Sequence, residues 1–150
     1  YDSCKKNPNL VAYGIDINKE AISVCKSKFK ELKYTKSKFF FDHEFNQENF
    51  RIFLRKNNLN KFDLVIFDRV LYCLNDRDLE IILNSISGYS NMILIDDFVY
   101  SDEFKSRGYK HRDWDLLLEG FHFENVMNIP TMYSEVDSAN ARTLLFKKLI

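Results

Sequence analysis

The sequence predicts an α/β fold: one doubly wound, mostly parallel sheet that ends in an antiparallel C-terminal strand. Three observations carry this reading. Short apolar strands alternate with amphipathic helices over most of the chain, a rhythm that implies right-handed crossovers and parallel pairing. The first four strands each close on acids, namely Asp16, Asp42, Asp68 and the pair Asp96 and Asp97, which places carboxylates along one edge of the sheet. The last segments, "FHFENVMNI" and "ARTLLFKKL", follow one another without a helix between them and read as an antiparallel pair.

The elements follow in order. "VAYGIDIN" is a strand that stops on Asp16, and Asn18 caps a helix to about residue 32 with Ile22, Cys25, Phe29 and Leu32 on one face. "KSKFFFDHEF" gives a short strand, Phe39 to Phe41, ending at Asp42. A helix from about Gln47 to Lys56 buries Phe50, Phe53 and Leu54, and "NNLNK" turns the chain back. "FDLVIFD", Phe62 to Asp68, is expected to be a central strand buried on both faces. Asn75 or Asp76 starts a helix with Leu79, Ile82, Leu83 and Ile86 inward, and Gly88 stands at its C-terminal cap. Met92 to Ile95 form the next strand, closing on Asp96 and Asp97. Residues 98–112 read as a loop or lid on the acid-bearing edge, and a short helix from about Asp113 to Glu119 stops at Gly120. Pro130 ends the first of the two closing strands.

Composition bounds the function. With 150 residues and 45% apolar content the chain suits one domain, residues 1–150. Lys plus Arg and Asp plus Glu both total 22, so no net charge steers it to nucleic acid or an anionic membrane. The lysines from Lys26 to Lys38 read as a solvated face. Three widely spaced cysteines fit neither a disulfide framework nor a zinc site, and a reducing cytoplasm suits them best. No apolar run reaches the roughly 18 residues that a membrane span needs.

An acid at the end of a strand that leads into a helix costs desolvation unless hydrogen-bond donors reach it, and in doubly wound sheets that edge is where ligands bind. The usual donors are ribose hydroxyls, with a Gly-rich turn about 20 residues earlier, and counting back that far from Asp16 runs off the start of the sequence. An alternative role for Asp16 is to cap the helix that follows.

From Asn9 to Leu149 the chain resembles the class I S-adenosylmethionine-dependent methyltransferases, on the stretches "LVAYGIDINKEAISVCK", "FDLVIFDRVLYCLNDRDLEIILNSI", "MILIDDF" and "DWDLLLEGFHFENV". The resemblance implies a Rossmann-like sheet of seven strands in the order 3-2-1-4-5-7-6 with the last antiparallel. On that template strand 1 and its Gly-rich loop are missing from the sequence, which reads as an N-terminally incomplete domain. Strand 1 lies mid-sheet, and its loss leaves unpaired edges, so upstream residues or another segment are expected in that slot.

Within the resemblance, Asp16 binds both ribose hydroxyls and Ile17 packs on the adenine. Asp42 accepts from the adenine amino group, and the His43 backbone reaches the ring. Asp68, Arg69 and Val70 lie beneath the methionine half, although Arg69 could instead form a surface ion pair with Asp76 or Asp78. Many family members carry a histidine in the run matched by "VLYCLND", where this chain has Tyr72 and Cys73. Tyr72 is therefore expected to orient a substrate hydroxyl rather than act as a base, and His111 in "YKHRDW" is the remaining candidate base. Trp114 is expected to pack under its helix.

The implied reaction is methyl transfer from S-adenosylmethionine to a small-molecule acceptor by in-line displacement, with no metal and no nucleic-acid or membrane partner. The rival readings are a non-catalytic methyltransferase-like binding module and a nicotinamide-dependent oxidoreductase, against which the closing antiparallel pair speaks.

Overall fold

The computed structural model describes residues 7, 9–16, 18–31, 38–41, 47–99, 110–131 and 140–149. Ile17, Asp42 and His43 lie outside the described residues, as do Leu32 and most of the expected lid, including Tyr100, Phe104 and Tyr109. The chain divides into two compact units, residues 1–45 and 46–150.

In the first unit, β1 (Tyr13–Asp16) and β2 (Lys38–Phe41) pair in parallel with Asp16 opposite Phe41, and α1 (Lys19–Glu31) makes the crossover. The helix starts where Asn18 supplies the cap, its Oδ1 accepting from the backbone N–H of Glu20 at 2.9 Å and Ala21 at 3.1 Å. Ile22 is buried and Cys25 half-buried on the inward stripe.

The second unit runs α2 (Gln47–Asn57), β3 (Val65–Asp68), a 3-10 turn (Leu71–Cys73), α3 (Asp76–Ser87), β4 (Met92–Phe98), α4 (Trp114–Glu119), β5 (Phe123–Pro130) and β6 (Ala141–Lys148). Its sheet has the order β3-β4-β6-β5, with β3 parallel to β4 and β6 antiparallel to both β4 and β5. This is the order expected for the last four strands, antiparallel closing strand included. Leu79 and Leu83 of α3 and Trp114 and Leu118 of α4 pack with Ile93, Ile95, Phe123, Leu144 and Phe146 of the sheet in one core. Burial of apolar side chains, at roughly 1.5–3 kcal/mol for each, is the main term that holds this layer together. Trp114 packs under its helix as expected, and its Nε1–H, buried with the ring, donates to the Phe98 carbonyl at 2.9 Å.

Local chemistry sets the boundaries. Asn75 caps α3 by accepting from the Asp78 N–H at 2.9 Å, and its own Nδ2 donates to the Asp78 carboxylate at 2.6 Å. Asn75→Ala is expected to lower stability by about 1 kcal/mol, read as a reduced urea midpoint at unchanged slope. Gly88 is the C-cap of α3 but stays right-handed at φ −76°, whereas among the described non-glycine residues the left-handed positions fall at Asn58, Arg69 and His122.

Two expectations need correction. β3 is not buried on both faces: its side chains alternate, and Ile66 is 59% exposed while Phe67 packs on the core. Within its sheet it pairs with β4 alone among the described residues, so one edge lacks a neighbour there. β4 does not stop at Ile95. It continues through Asp96, Asp97 and Phe98, which pair with Thr143, Arg142 and Ala141 of β6, and both acids are buried inside the strand rather than perched at its end.

Candidate functional site

In the second unit the chemistry gathers at the C-terminal ends of β3 and β4, where register sets Asp68 beside Asp96. Asp68 is exposed. Arg69 then turns the chain in the left-handed region, φ 52°, while its N–H donates to the Asp96 carbonyl at 2.8 Å. That conformation folds the guanidinium back: Nε donates to Asp96 Oδ1 at 2.9 Å and a terminal nitrogen donates to the Thr131 hydroxyl at 3.2 Å. The same group lies 4.9 Å from the centre of the Phe98 ring. Thr131 in turn donates to the Asp96 carboxylate, as does Thr143 from β6. Arg69 is thus committed to Asp96, not to a surface pair with Asp76 or Asp78, because strand register brings Asp96 next to it.

Asp97 points to the opposite face of β4, as alternate strand residues must. Its Oδ2 accepts from the backbone N–H of Leu71 at 2.9 Å and Tyr72 at 3.1 Å, and its Oδ1 from that of Phe98 at 2.8 Å. Burial pushes the Asp97 carboxyl above the ordinary range, against the pull of those N–H groups and of the Arg69 charge. The 3-10 turn is thereby tied to β4 through its N–H groups.

Its carbonyls are tied to a different segment. Arg112, whose side chain is 9% exposed, donates to the Leu71 carbonyl at 2.9 Å and the Leu74 carbonyl at 2.6 Å, and pairs with Asp76 at 2.9 Å. The Arg112 hydrogen bond, helped by the charge of Lys110 at 3.6 Å, holds the Asp76 carboxyl below its usual range. Val99 and Arg112 form a parallel bridge, which returns residues 110–114 alongside the end of β4. On that return His111 Nδ1 lies 3.0 Å from the Val99 carbonyl. A carbonyl only accepts, so Nδ1 carries the proton and Nε2 is the basic nitrogen of the neutral ring.

Phe98 is the hub. The Tyr72 ring meets it edge-on at 5.2 Å, the His111 ring lies 6.3 Å away, and Arg69 stacks on it. Tyr72, His111 and Arg69, three residues singled out from sequence, are therefore brought around one aromatic ring. Val70 is exposed and precedes the turn. Sequence reasoning missed the anchoring roles of Asp96, Asp97, Arg112, Thr131 and Thr143. Two adjacent acids at the end of an apolar strand were the available signal for the first two.

In the first unit Asp16 ends β1 with its side chain exposed. Its Oδ1 accepts from the Asn18 N–H at 2.7 Å, so it supports the turn into α1 while Asn18 itself is the cap. Oδ2 accepts from no described residue. Among the described residues no three metal-ligating side chains gather, and no helix is long and apolar enough to cross a membrane.

Comparison with known proteins adds the following. A family model described as a methyltransferase domain matches residues 1–137. The N-methyltransferase NodS from Bradyrhizobium japonicum has a similar fold, with a TM-score of 0.69 at 13% identity over 99% of this chain and 79% of that one. An rRNA methylase from Streptococcus thermophilus gives a TM-score of 0.55 at 16% identity, over 93% of this chain and 74% of that one. The bifunctional kinase-methyltransferase WbdD gives 0.60 at 17% identity, over 92% of this chain but 30% of that one. The chain spans 62% or less of the length of several structures that it matches. No curated protein matches it.

Proposed function

The chain belongs to the methyltransferase domain family, and on that premise we propose that it transfers a methyl group from S-adenosylmethionine to a small-molecule acceptor in one in-line displacement. The observation that carries the cofactor reading is Asp16, an exposed carboxylate at a parallel strand end with one oxygen in the turn and the other open to a donor. Such an acid fits a ribose diol, which offers two hydroxyl donors side by side. Ile17 would then pack on the adenine, and Asp42 with the His43 backbone would meet its edge. Asp68 and Val70 would flank the methionine half. Arg69 serves that half by holding the loop in shape, since its guanidinium is engaged by Asp96 and Thr131.

The bound cofactor supplies a methyl group already activated on a sulfonium. What the protein adds is alignment, exclusion of water and, for a poorly ionised nucleophile, a proton acceptor. Tyr72, fixed by the Asp97-held turn and packed edge-on against Phe98, orients the acceptor. His111, with Nδ1–H directed at Val99 and Nε2 buried, is the candidate base for the acceptor's proton. The wide spacing of the three cysteines suits a reducing, cytoplasmic setting.

Thermal melting with S-adenosylhomocysteine and, separately, NAD tests this reading. The first should raise the melting temperature and the second should not; at ligand a hundredfold above Kd the gain is about 2.7 kcal/mol. Asp16→Ala should weaken S-adenosylhomocysteine binding by roughly 10- to 100-fold, the worth of hydrogen bonds to a charged acceptor. Equal binding by wild type and variant would remove Asp16 from the site. A shift with NAD alone would replace methyl transfer with the oxidoreductase reading.

A further inference from the structure

At the opposite ends of β3 and β4 from the acids, the second unit carries a groove of about 590 Å³ that the methyl-transfer reading does not use. Arg51 and Arg55, one turn apart on α2, form one side of it, and Asn58 and Asn60 of the following turn form its end. Leu54, Leu59 and Tyr89 supply apolar and aromatic surface.

The local fold makes this a donor-rich place. α2 closes with Asn58 in the left-handed region, φ 53°, with its N–H donating to the Arg55 carbonyl at 3.1 Å and the Leu59 N–H to the Leu54 carbonyl at 2.9 Å. Those paired bonds are a Schellman closure. They occupy two carbonyls that would otherwise give the helix end its negative potential. Tyr89 is fixed by its carbonyl, which accepts from the Phe62 N–H at 2.7 Å, and by its ring, edge-on to Phe50 at 5.6 Å. Among the described residues no carboxylate lines the groove. The nearest pairing, Arg55 with Glu48 at 3.8 Å, joins two exposed side chains and is weak. Among the described residues no hydrogen bond or ion pair engages the Arg51 guanidinium.

Two guanidinium forks, two carboxamides and a phenol beside an apolar floor suit a phosphate attached to a planar, partly apolar body. The volume falls in the range of small-ligand sites. We propose that this groove binds a nucleoside phosphate, the shared chemistry of a free nucleotide and of one unit of a single-stranded RNA. A chain without net charge still carries such a site, because the recognition is local.

The test uses the full chain with inorganic phosphate, AMP and a labelled single-stranded oligoribonucleotide, each against wild type and the double variant Arg51→Gln with Arg55→Gln. Both side chains are exposed, so the variant should keep its melting temperature and its S-adenosylhomocysteine shift. The expected result is binding of AMP or of the strand by wild type, weakened at least about tenfold in the double variant. For the strand, the dependence of log Kd on log salt should also flatten by about 1.4. AMP binding with no gain from the strand assigns a free nucleotide, and far tighter binding of the strand assigns RNA. Binding of phosphate as well as AMP would overturn the nucleoside assignment, and equal binding by wild type and variant, or none by either, would overturn the site. The S-adenosylhomocysteine arm reports separately on the cofactor reading.

Discussion

Arg69→Ala is expected to destabilise the second unit by about 3–5 kcal/mol, the scale for removing one partner from a buried ion pair. Asp96 is the reason. Its side chain is 8% exposed and Arg69's 20%, so once the guanidinium is gone the carboxylate keeps the Thr131 and Thr143 hydroxyls but loses its only counter-charge among the described residues. The Phe98 ring loses its stacked cation as well. Two companion variants separate these contributions from the backbone. At φ 52° a side chain costs roughly 1–2 kcal/mol that glycine does not incur, so Arg69→Gly should be about that much less damaging than Arg69→Ala. Asp96→Asn in the Arg69→Ala background should recover stability, because a neutral amide needs no counter-ion. Urea unfolding reads all three. A loss under about 1 kcal/mol for Arg69→Ala, or no recovery in the double variant, would show that the pair is solvated and unimportant.

That pair also marks where the sequence stops being legible. The alternation of strands and helices and the caps at Asn18 and Asn75 are local matters of periodicity and short-range hydrogen bonding, and the structure has them where the residues indicate, whereas the strand order is a long-range property that the family resemblance implies. The partner of Arg69 is different in kind. Asp76 and Asp78 are close in sequence, whereas Asp96 becomes a neighbour only through the β3–β4 register, and Asp76 is taken by Arg112 from a segment later in the chain. Likewise, "FDLVIFD" is apolar enough for either a two-sided or a one-sided burial, and only the surrounding layers decide which face of β3 is covered. Thr131 and Thr143 carry no sequence signal at all, since a threonine in or beside a β-strand needs no carboxylate to explain it. Tyr72 is legible as a candidate through the family resemblance and His111 through the topology that sets its segment on the ligand edge, but their shared contact with Phe98 is not.

Asp97→Ala is expected to cost about 2–4 kcal/mol, and its pH dependence distinguishes a structural acceptor from a buried acid of no consequence. The alanine leaves the Leu71, Tyr72 and Phe98 N–H groups without their acceptor in a buried place, at roughly 1–3 kcal/mol for each group. Relief from burying a carboxylate offsets part of that sum. The sign of the pH effect follows from the raised pKa. Between the ordinary aspartate value and the raised one, the folded chain holds more protons than the unfolded chain, so this group's contribution to stability is full below that interval and declines as pH rises through it. Asp97→Asn keeps one acceptor oxygen and does not titrate, so the stability of wild type relative to this variant should fall across the same interval and be flat above it. A difference that is constant with pH, or that grows with pH, would mean that the carboxylate is stabilised rather than desolvated. Asp97 holds the N–H groups of the turn that carries Tyr72, and Arg112 holds its carbonyls. Under the methyl-transfer proposal, in which Tyr72 orients the acceptor, loosening either should raise KM for the acceptor.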